Sequence, residues 1–214
     1  SNPKGYKLRD ETRPHFDAKK VTSIRLAKIL INLSQAEKEI LDPFCGLATI
    51  LQEALLLNLN CYGLDLNIKE AEENLKWLKN KFNIKVSYKL FQGDVRNLSK
   101  FINKIESCVT EPYLGPYFNK YPNYETALNL IKDLEKLYSK VFYELNKIVE
   151  KRVVVLLPII KTNIKKSLNI NIDNLLQRTK FKIAKIDNIK LPIRYSNKNS
   201  IVEREIYVLE KSFY

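Results

Sequence analysis

The run Glu39-Ile-Leu-Asp42, Pro43-Phe-Cys-Gly46, Leu47-Ala-Thr-Ile-Leu-Gln-Glu-Ala54 decides the fold class of this chain. Its first four residues read as a short strand and residues 43–46 as a turn. Ile50, Leu51, Ala54 and Leu55 then recur at the spacing of one helix face. The same grammar repeats downstream. Residues 61–66 read as a second strand, Leu75, Leu78 and Phe82 mark a second helix, and residues 86–91 and 107–110 are a third and a fourth strand. A long apolar stripe follows, through Ala127, Leu130, Ile131, Leu134, Leu137, Tyr138, Val141, Leu145 and Ile148, which predicts one extended amphipathic helix. Residues 153–160 read as a buried fifth strand, and residues 181–191 and 202–209 as a terminal hairpin around residues 197–199. Upstream, Thr22 or Ser23 can cap a helix with Ile24, Ala27, Leu30 and Ile31 on its apolar face. Residues 1–20, punctuated by Pro3, Gly5 and Pro14, read as an irregular extension. Strands alternating with helices predict an α/β fold with a doubly wound, mostly parallel sheet.

Composition bounds the rest. A length of 214 residues suits one sizeable core and is short for two, so residues 1–214 are expected to form a single domain. Hydrophobic residues make up 45% and charged residues 29%, the balance of a soluble globular protein. The longest apolar run, Val153-Val-Val-Leu-Leu-Pro-Ile-Ile160, falls far short of the ~20 residues that cross a bilayer. No leader-like segment opens the chain. A membrane partner is therefore not expected, and the cytoplasm is the expected compartment. Three widely spaced cysteines, an odd number, argue against a disulfide framework and against a zinc site. The formal net charge of +13 favours a polyanionic partner, nucleic acid above all; abundant Lys used only for solubility is the plainer alternative. The chain has no Met and begins at Ser1. The expectation is either an excised fragment or a sequence from which modified methionines were omitted.

In doubly wound sheets ligands bind beyond the carboxyl ends of the strands, so those ends carry the functional reading. The first strand ends at Asp42 before a turn with one glycine, Gly46. A dinucleotide-binding loop offers three glycines at set spacing, so a nicotinamide-dependent oxidoreductase is disfavoured. The second strand ends at Gly63-Leu-Asp65, where a carboxylate can meet a ribose diol. The third ends at Gly93-Asp94-Val95 and the fourth at Thr110-Glu-Pro-Tyr-Leu-Gly115. Taken singly, each acid is better explained as a cap or a turn. Four polar strand ends in sequence order point to one ligand crevice.

These residues also carry a family resemblance. Asp42-Pro-Phe-Cys-Gly46 with Thr49-Ile-Leu-Gln-Glu-Ala54 resembles the cofactor loop of the tRNA guanine exocyclic-amine methyltransferases, whose members often carry a THUMP domain. Arg25-Leu-Ala27, Gly93-Asp-Val-Arg-Asn-Leu98, the run Thr110-Glu-Pro-Tyr-Leu-Gly-Pro116, Arg194-Tyr195 and Val202-Glu-Arg-Glu-Ile206 extend the likeness over roughly residues 13–211. The resemblance implies a Rossmann-like, seven-stranded methyltransferase sheet with an antiparallel last strand, and S-adenosylmethionine as cofactor. It implies that Asp42, Cys45 and Gly46 border the methionine part of the cofactor. Asp65 would take the ribose hydroxyls and Asp94 the adenine amine, with Val95 against the ring. The chain departs from the family at Leu47 and Ala48, where Ser and Gly are usual, so a tighter loop is expected. The stretch between Asp65 and Asn74 is a few residues short. No THUMP module is visible, so a separate or excised RNA-binding domain is expected.

At the fourth strand, amine-methylating enzymes place Asp, Asn or Ser before Pro-Pro and an aromatic residue. A base amine is a poor nucleophile because its lone pair is delocalised into the ring. Acceptors aimed at its N–H bonds localise that pair, and an aromatic face holds the base in place. Here the run is Thr110-Glu111-Pro112-Tyr113: the Thr110 hydroxyl and Glu111 carbonyl are candidate acceptors, the Glu111 side chain a candidate proton acceptor, and Tyr113 a stacking surface. Cys45 lies on the cofactor loop and is not expected to act as a covalent nucleophile. His15, the lone histidine, is expected at the surface. Pro116-Tyr-Phe-Asn-Lys-Tyr-Pro-Asn-Tyr124 reads either as a lid that stacks on a flipped base or as a packed loop. The expected function is methylation of the exocyclic amine of guanine in RNA, with tRNA the expected partner. Methylation of a DNA adenine or a protein glutamine amine is one alternative, and a non-catalytic RNA-binding module of the same fold is another.

Overall fold

Nine strands form among the described residues: β1 Glu39–Asp42, β2 Asn60–Asp65, β3 Tyr88–Gln92, β4 Ser107–Thr110, β5 Arg152–Lys161, β6 Ser167–Asn169, β7 Phe181–Ile183, β8 Ile193–Tyr195 and β9 Val202–Lys211, the longest drawn from β-branched and apolar runs. Between them lie α1 Pro3–Thr12, α2 Ile24–Ser34, α3 Thr49–Leu56, α4 Lys69–Phe82, α5 Tyr124–Ile148 and α6 Ile172–Leu176. The coordinates are a computed structural model that describes residues 3–17, 21–196 and 200–212.

The sheet runs β3-β2-β1-β4-β5-β9-β7, with β6 added to β5 and β8 to β9. Strands β1 to β5 along this path are parallel, whereas β9 lies antiparallel to β5 from Arg152↔Glu210 to Ile160↔Val202. The seven-strand path with an antiparallel last strand is the arrangement the resemblance implied. Because β1 neighbours both β2 and β4, the chain reverses its direction of travel across the sheet there. That switch point opens a crevice at the carboxyl ends of β1 and β4.

Alternation along the central strands builds two cores. Leu41, Cys108, Val153, Val155 and Leu157 join the layer of α5 and α6, while Ile40, Val109, Val154 and Leu156 join the layer of α2, α3 and α4. Each fully buried Leu, Ile or Val is worth about 1.5–3 kcal/mol relative to exposure. Ser23, one of the two residues expected to cap α2, does so by accepting the Leu26 N–H at 3.3 Å. Asn123 caps α5 by accepting the Thr126 N–H at 2.7 Å.

Two expectations need correction. Residues 3–12 are not irregular but form α1, which packs back on α3 through a buried ion pair: Arg9 donates to both carboxylate oxygens of Glu53, at 2.7 and 2.9 Å. Nor do residues 181–191 form one hairpin arm. β7 stops at Ile183, residues 186–189 turn, and β8 starts after the cis Leu191–Pro192 bond. β9 is long enough to pair with β7 at Leu209–Lys211 and with β8 at Arg204–Ile206. Residues 197–199, the expected hairpin centre, lie outside the described residues.

Candidate functional site

The turn after β1 is bent by two residues in left-handed conformation, Gly46 at φ 47° and Ala48 at φ 64°. A non-glycine residue there carries about 1–2 kcal/mol of steric cost, so the turn holds Ala48 under strain. The turn is held from outside. The Cys45 N–H donates to the Leu64 carbonyl at 3.1 Å, and the Gly46 N–H donates to Asp65 Oδ2 at 2.8 Å. Asn74 of α4 donates its side-chain amide to the Leu47 carbonyl at 3.0 Å, and accepts the His15 N–H at 2.9 Å. His15 itself contacts Glu73 at 2.6 Å through its ring.

A cleft of about 1340 Å³ lies beside this turn at the carboxyl edge of the sheet. Asp42, Cys45, Gly46, Asp65, Asp94, Val95, Glu111, Pro112 and Tyr113 all border it. Thr110 does not. It is 1% exposed beneath the floor, and its hydroxyl donates to Asp42 Oδ1 at 2.7 Å, so that donor is turned toward a carboxylate and not toward the cleft.

Each acid has a distinct environment. Burial pushes Asp42 up to about 7, against the pull of the Thr110 hydroxyl and the Phe44 N–H; nearby Asp65 and Glu111 add to the rise. Asp65 accepts the Gly46 N–H on Oδ2, while among the described residues Oδ1 meets the distant Asn67 N–H at 3.5 Å. Asp94 caps the short 3-10 segment Val95–Lys100 and also accepts from the Arg96 guanidinium, which holds its carboxyl below the usual range. Burial, with the Asp42 and Asp65 carboxylates nearby, pushes the Cys45 thiol up and keeps it protonated. Cys45, Cys61 and Cys108 are all buried and unbridged.

Past β4 the chain crosses the cleft mouth as an irregular segment. Glu111 accepts the Thr22 hydroxyl on Oε2 at 2.6 Å and Arg204 Nε on Oε1 at 2.5 Å. Pro112 is buried, whereas Tyr113 is 55% exposed within the cleft; its carbonyl accepts the Tyr138 hydroxyl from α5 at 2.6 Å. Gly115 takes φ 106°, where a Cβ would come within 2.9 Å of Leu130, so the turn needs glycine. Tyr117, Phe118 and Asn119 continue along the rim.

Sequence reasoning missed Thr22 and Arg204 as site residues. The sequence marks Thr22 as a helix cap and Arg204 as part of the Val202-Glu-Arg-Glu-Ile206 run, and neither reading points to the cleft. The local pattern gives little signal for Arg204, which stands between Glu203 and Glu205 in the charged first half of β9.

Comparison with known proteins gives a consistent set. The tRNA (guanine(10)-N2)-dimethyltransferase of Pyrococcus abyssi is 30% identical over 139 residues, covering 63% of this chain and 38% of the relative. A probable tRNA (guanine(10)-N2)-dimethyltransferase of Methanothermococcus thermolithotrophicus is 31% identical over 120 residues, covering 52% of this chain and 74% of the relative. The match spans only 32–38% of the length of three of the curated relatives. TrmN of Thermus thermophilus, a solved structure, shares the fold with a TM-score of 0.60 over 89% of this chain and 49% of its own, at 20% identity. No protein-family model matches the chain. Among the described residues, no helix is long and apolar enough to cross a membrane.

Proposed function

The chain belongs to the tRNA (guanine(10)-N2)-dimethyltransferase family, and from that membership we propose that it methylates the exocyclic N2 amine of a guanine in RNA, with tRNA as substrate and S-adenosylmethionine as methyl donor. The observation that carries this reading is convergence: the acids ending β1, β2 and the β3 turn share one cleft with the Glu111-Pro112-Tyr113 turn.

The donor chemistry fits the cofactor. Its ammonium, ribose hydroxyls and adenine amine are all hydrogen-bond donors, and the strand ends present carboxylates in place of a phosphate-binding glycine loop. Asp42, Cys45 and Gly46 are assigned to its methionine part, Asp65 to the ribose hydroxyls, Asp94 to the adenine amine and Val95 to one side of the ring. Asp94 already accepts from Arg96, but an ionised carboxylate offers about four acceptor sites. When bound, the cofactor supplies an electrophilic methyl group. Positioning of the amine then falls to this chain. Tyr113 offers an exposed ring to stack on the base, and buried Pro112 stiffens the turn. The Glu111 carbonyl and carboxylate are the acceptors for the amine N–H bonds, which draws the lone pair out of the ring. Thr110 serves from below, by fixing Asp42.

The test is calorimetric titration with S-adenosylmethionine. Hydrogen bonds to a charged group are worth about 1.5–3 kcal/mol, so Asp65→Ala should weaken binding by about one to two orders of magnitude. An unchanged affinity removes Asp65 from the site, and no binding by the wild-type chain refutes the cofactor assignment.

A further inference from the structure

Glu111 is where three segments distant in sequence meet. Thr22 lies just ahead of α2, Glu111 follows β4 and Arg204 sits on β9; all three border the cleft. The Glu111 side chain is only 13% exposed, and each of its oxygens holds one protein donor, Thr22 Oγ1 or Arg204 Nε. Two directional donors on opposite oxygens leave the carboxylate little rotational freedom, yet each oxygen keeps a further lone pair for a ligand N–H. The anchor behind it is rigid. Arg204 lies opposite Pro158 of β5 on one side and Tyr195 of β8 on the other, so its backbone cannot slide without breaking two strand pairings. From the opposite side, α5 ties the Tyr113 carbonyl through the Tyr138 hydroxyl. The turn that presents Glu111 and Tyr113 is thus fixed at both of its functional residues.

We propose that Thr22 and Arg204 are positioning residues for methyl transfer: they hold the Glu111 carboxylate in the orientation that accepts the N–H of the target amine. This assignment rests on the functional reading above. Neither residue touches the reacting atoms. Their effect reaches the reaction through Glu111, so it falls on turnover and spares cofactor affinity.

The experiment uses the full chain and the variants Thr22→Val, Thr22→Ser, Arg204→Met and Glu111→Gln, singly and with Arg204→Met combined with Glu111→Gln. Three quantities are read for each: kcat and KM on a tRNA transcript, S-adenosylmethionine affinity, and hydrogen exchange of the peptide spanning residues 107–117. Misplacement of the acceptor should lower kcat about 10²-fold in Arg204→Met. Loss of one hydrogen bond to a carboxylate should lower it about tenfold in Thr22→Val, with Thr22→Ser restoring it. KM and cofactor affinity should stay within about twofold, because those contacts lie elsewhere. Exchange over residues 107–117 should accelerate in Arg204→Met and Thr22→Val but not in Thr22→Ser. The double variant should be no slower than Glu111→Gln alone, since members of one unit are not additive. The proposal is overturned if Arg204→Met and Thr22→Val turn over like the wild type, if Thr22→Ser fails to recover, or if the losses appear in cofactor affinity instead. A wild-type chain that binds cofactor but methylates no RNA refutes the functional reading, while the exchange data still report whether the clamp holds the turn.

Discussion

The Thr110 hydroxyl donates a 2.7 Å hydrogen bond to Oδ1 of Asp42, joining the ends of β4 and β1 beneath the cleft. This bond favours the ionised form and so works against burial, which nevertheless pushes the Asp42 carboxyl up to about 7. An aspartate whose native pKa lies above its usual 3.8 binds protons more tightly in the folded state. Its contribution to stability is therefore full below about pH 4 and is lost as pH rises through about 7. Asp42→Asn should flatten the pH dependence of the urea midpoint between those limits. A positively charged cofactor favours the ionised form, so its affinity should climb through pH 7 with proton release on binding. Thr110→Val should move that climb to higher pH. Calorimetry in two buffers of different ionisation enthalpy reads the proton; an affinity flat from pH 5.5 to 8.5, as a design range spanning the Asp42 titration, contradicts the coupling.

The Arg9–Glu53 pair should dominate the docking of α1. The Glu53 side chain is 1% exposed and that of Arg9 11%, and removing one partner of a buried ion pair costs about 3–5 kcal/mol. Arg9→Met should lower stability toward that range in urea unfolding. The combined change Arg9→Met with Glu53→Leu should recover much of the loss, since no buried charge is then stranded. Equal stability of Arg9→Met and the wild type would show that the Arg9–Glu53 pair contributes nothing to the fold's stability.

That helix also marks a limit of sequence reading. Pro3-Lys-Gly-Tyr-Lys-Leu-Arg-Asp-Glu-Thr12 has breakers at its start and no apolar stripe; a contact 44 residues away holds it in place. Strands β1 to β5 and β9 were legible because their apolar runs carry a local signature, and the strand-end acids because the sheet's topology fixes where they lie. β6, α6 and the split of residues 181–195 into β7 and β8 were not, since elements of three to five residues are defined by the partner they find. At the site, the acids were readable and their partners were not. The Glu111 contacts span 89 and 93 residues of sequence, and no periodicity encodes them.

Tyr113 should act through its ring face. Tyr113→Phe should retain most activity, because only the hydroxyl is lost. Tyr113→Ala should lose about 1–3 kcal/mol of stacking and more in turnover, with little change in cofactor affinity. Steady-state kinetics on a tRNA transcript separate these outcomes, and a Tyr113→Ala variant with the wild-type rate would move the base-holding role to the Tyr117–Asn119 rim.

RNA affinity should be mainly electrostatic, given the net charge of +13. The logarithm of the binding constant should fall linearly with the logarithm of salt concentration, with a slope of about −0.7 to −0.9 per phosphate contacted. Fluorescence anisotropy on labelled tRNA measures it. A flat response would mean that the lysine-rich surface does not face the RNA.

The most direct measurement is the identity of the nucleoside that acquires the methyl group. An unmodified tRNA transcript is incubated with the chain and methyl-labelled S-adenosylmethionine, digested, and its nucleosides separated and weighed. The expected result is label in N2-methylated guanosine, strongly reduced in Asp65→Ala and in Tyr113→Ala. Label in a methylated adenosine or in polypeptide, or no label from a chain that binds the cofactor, would contradict guanine-amine methylation.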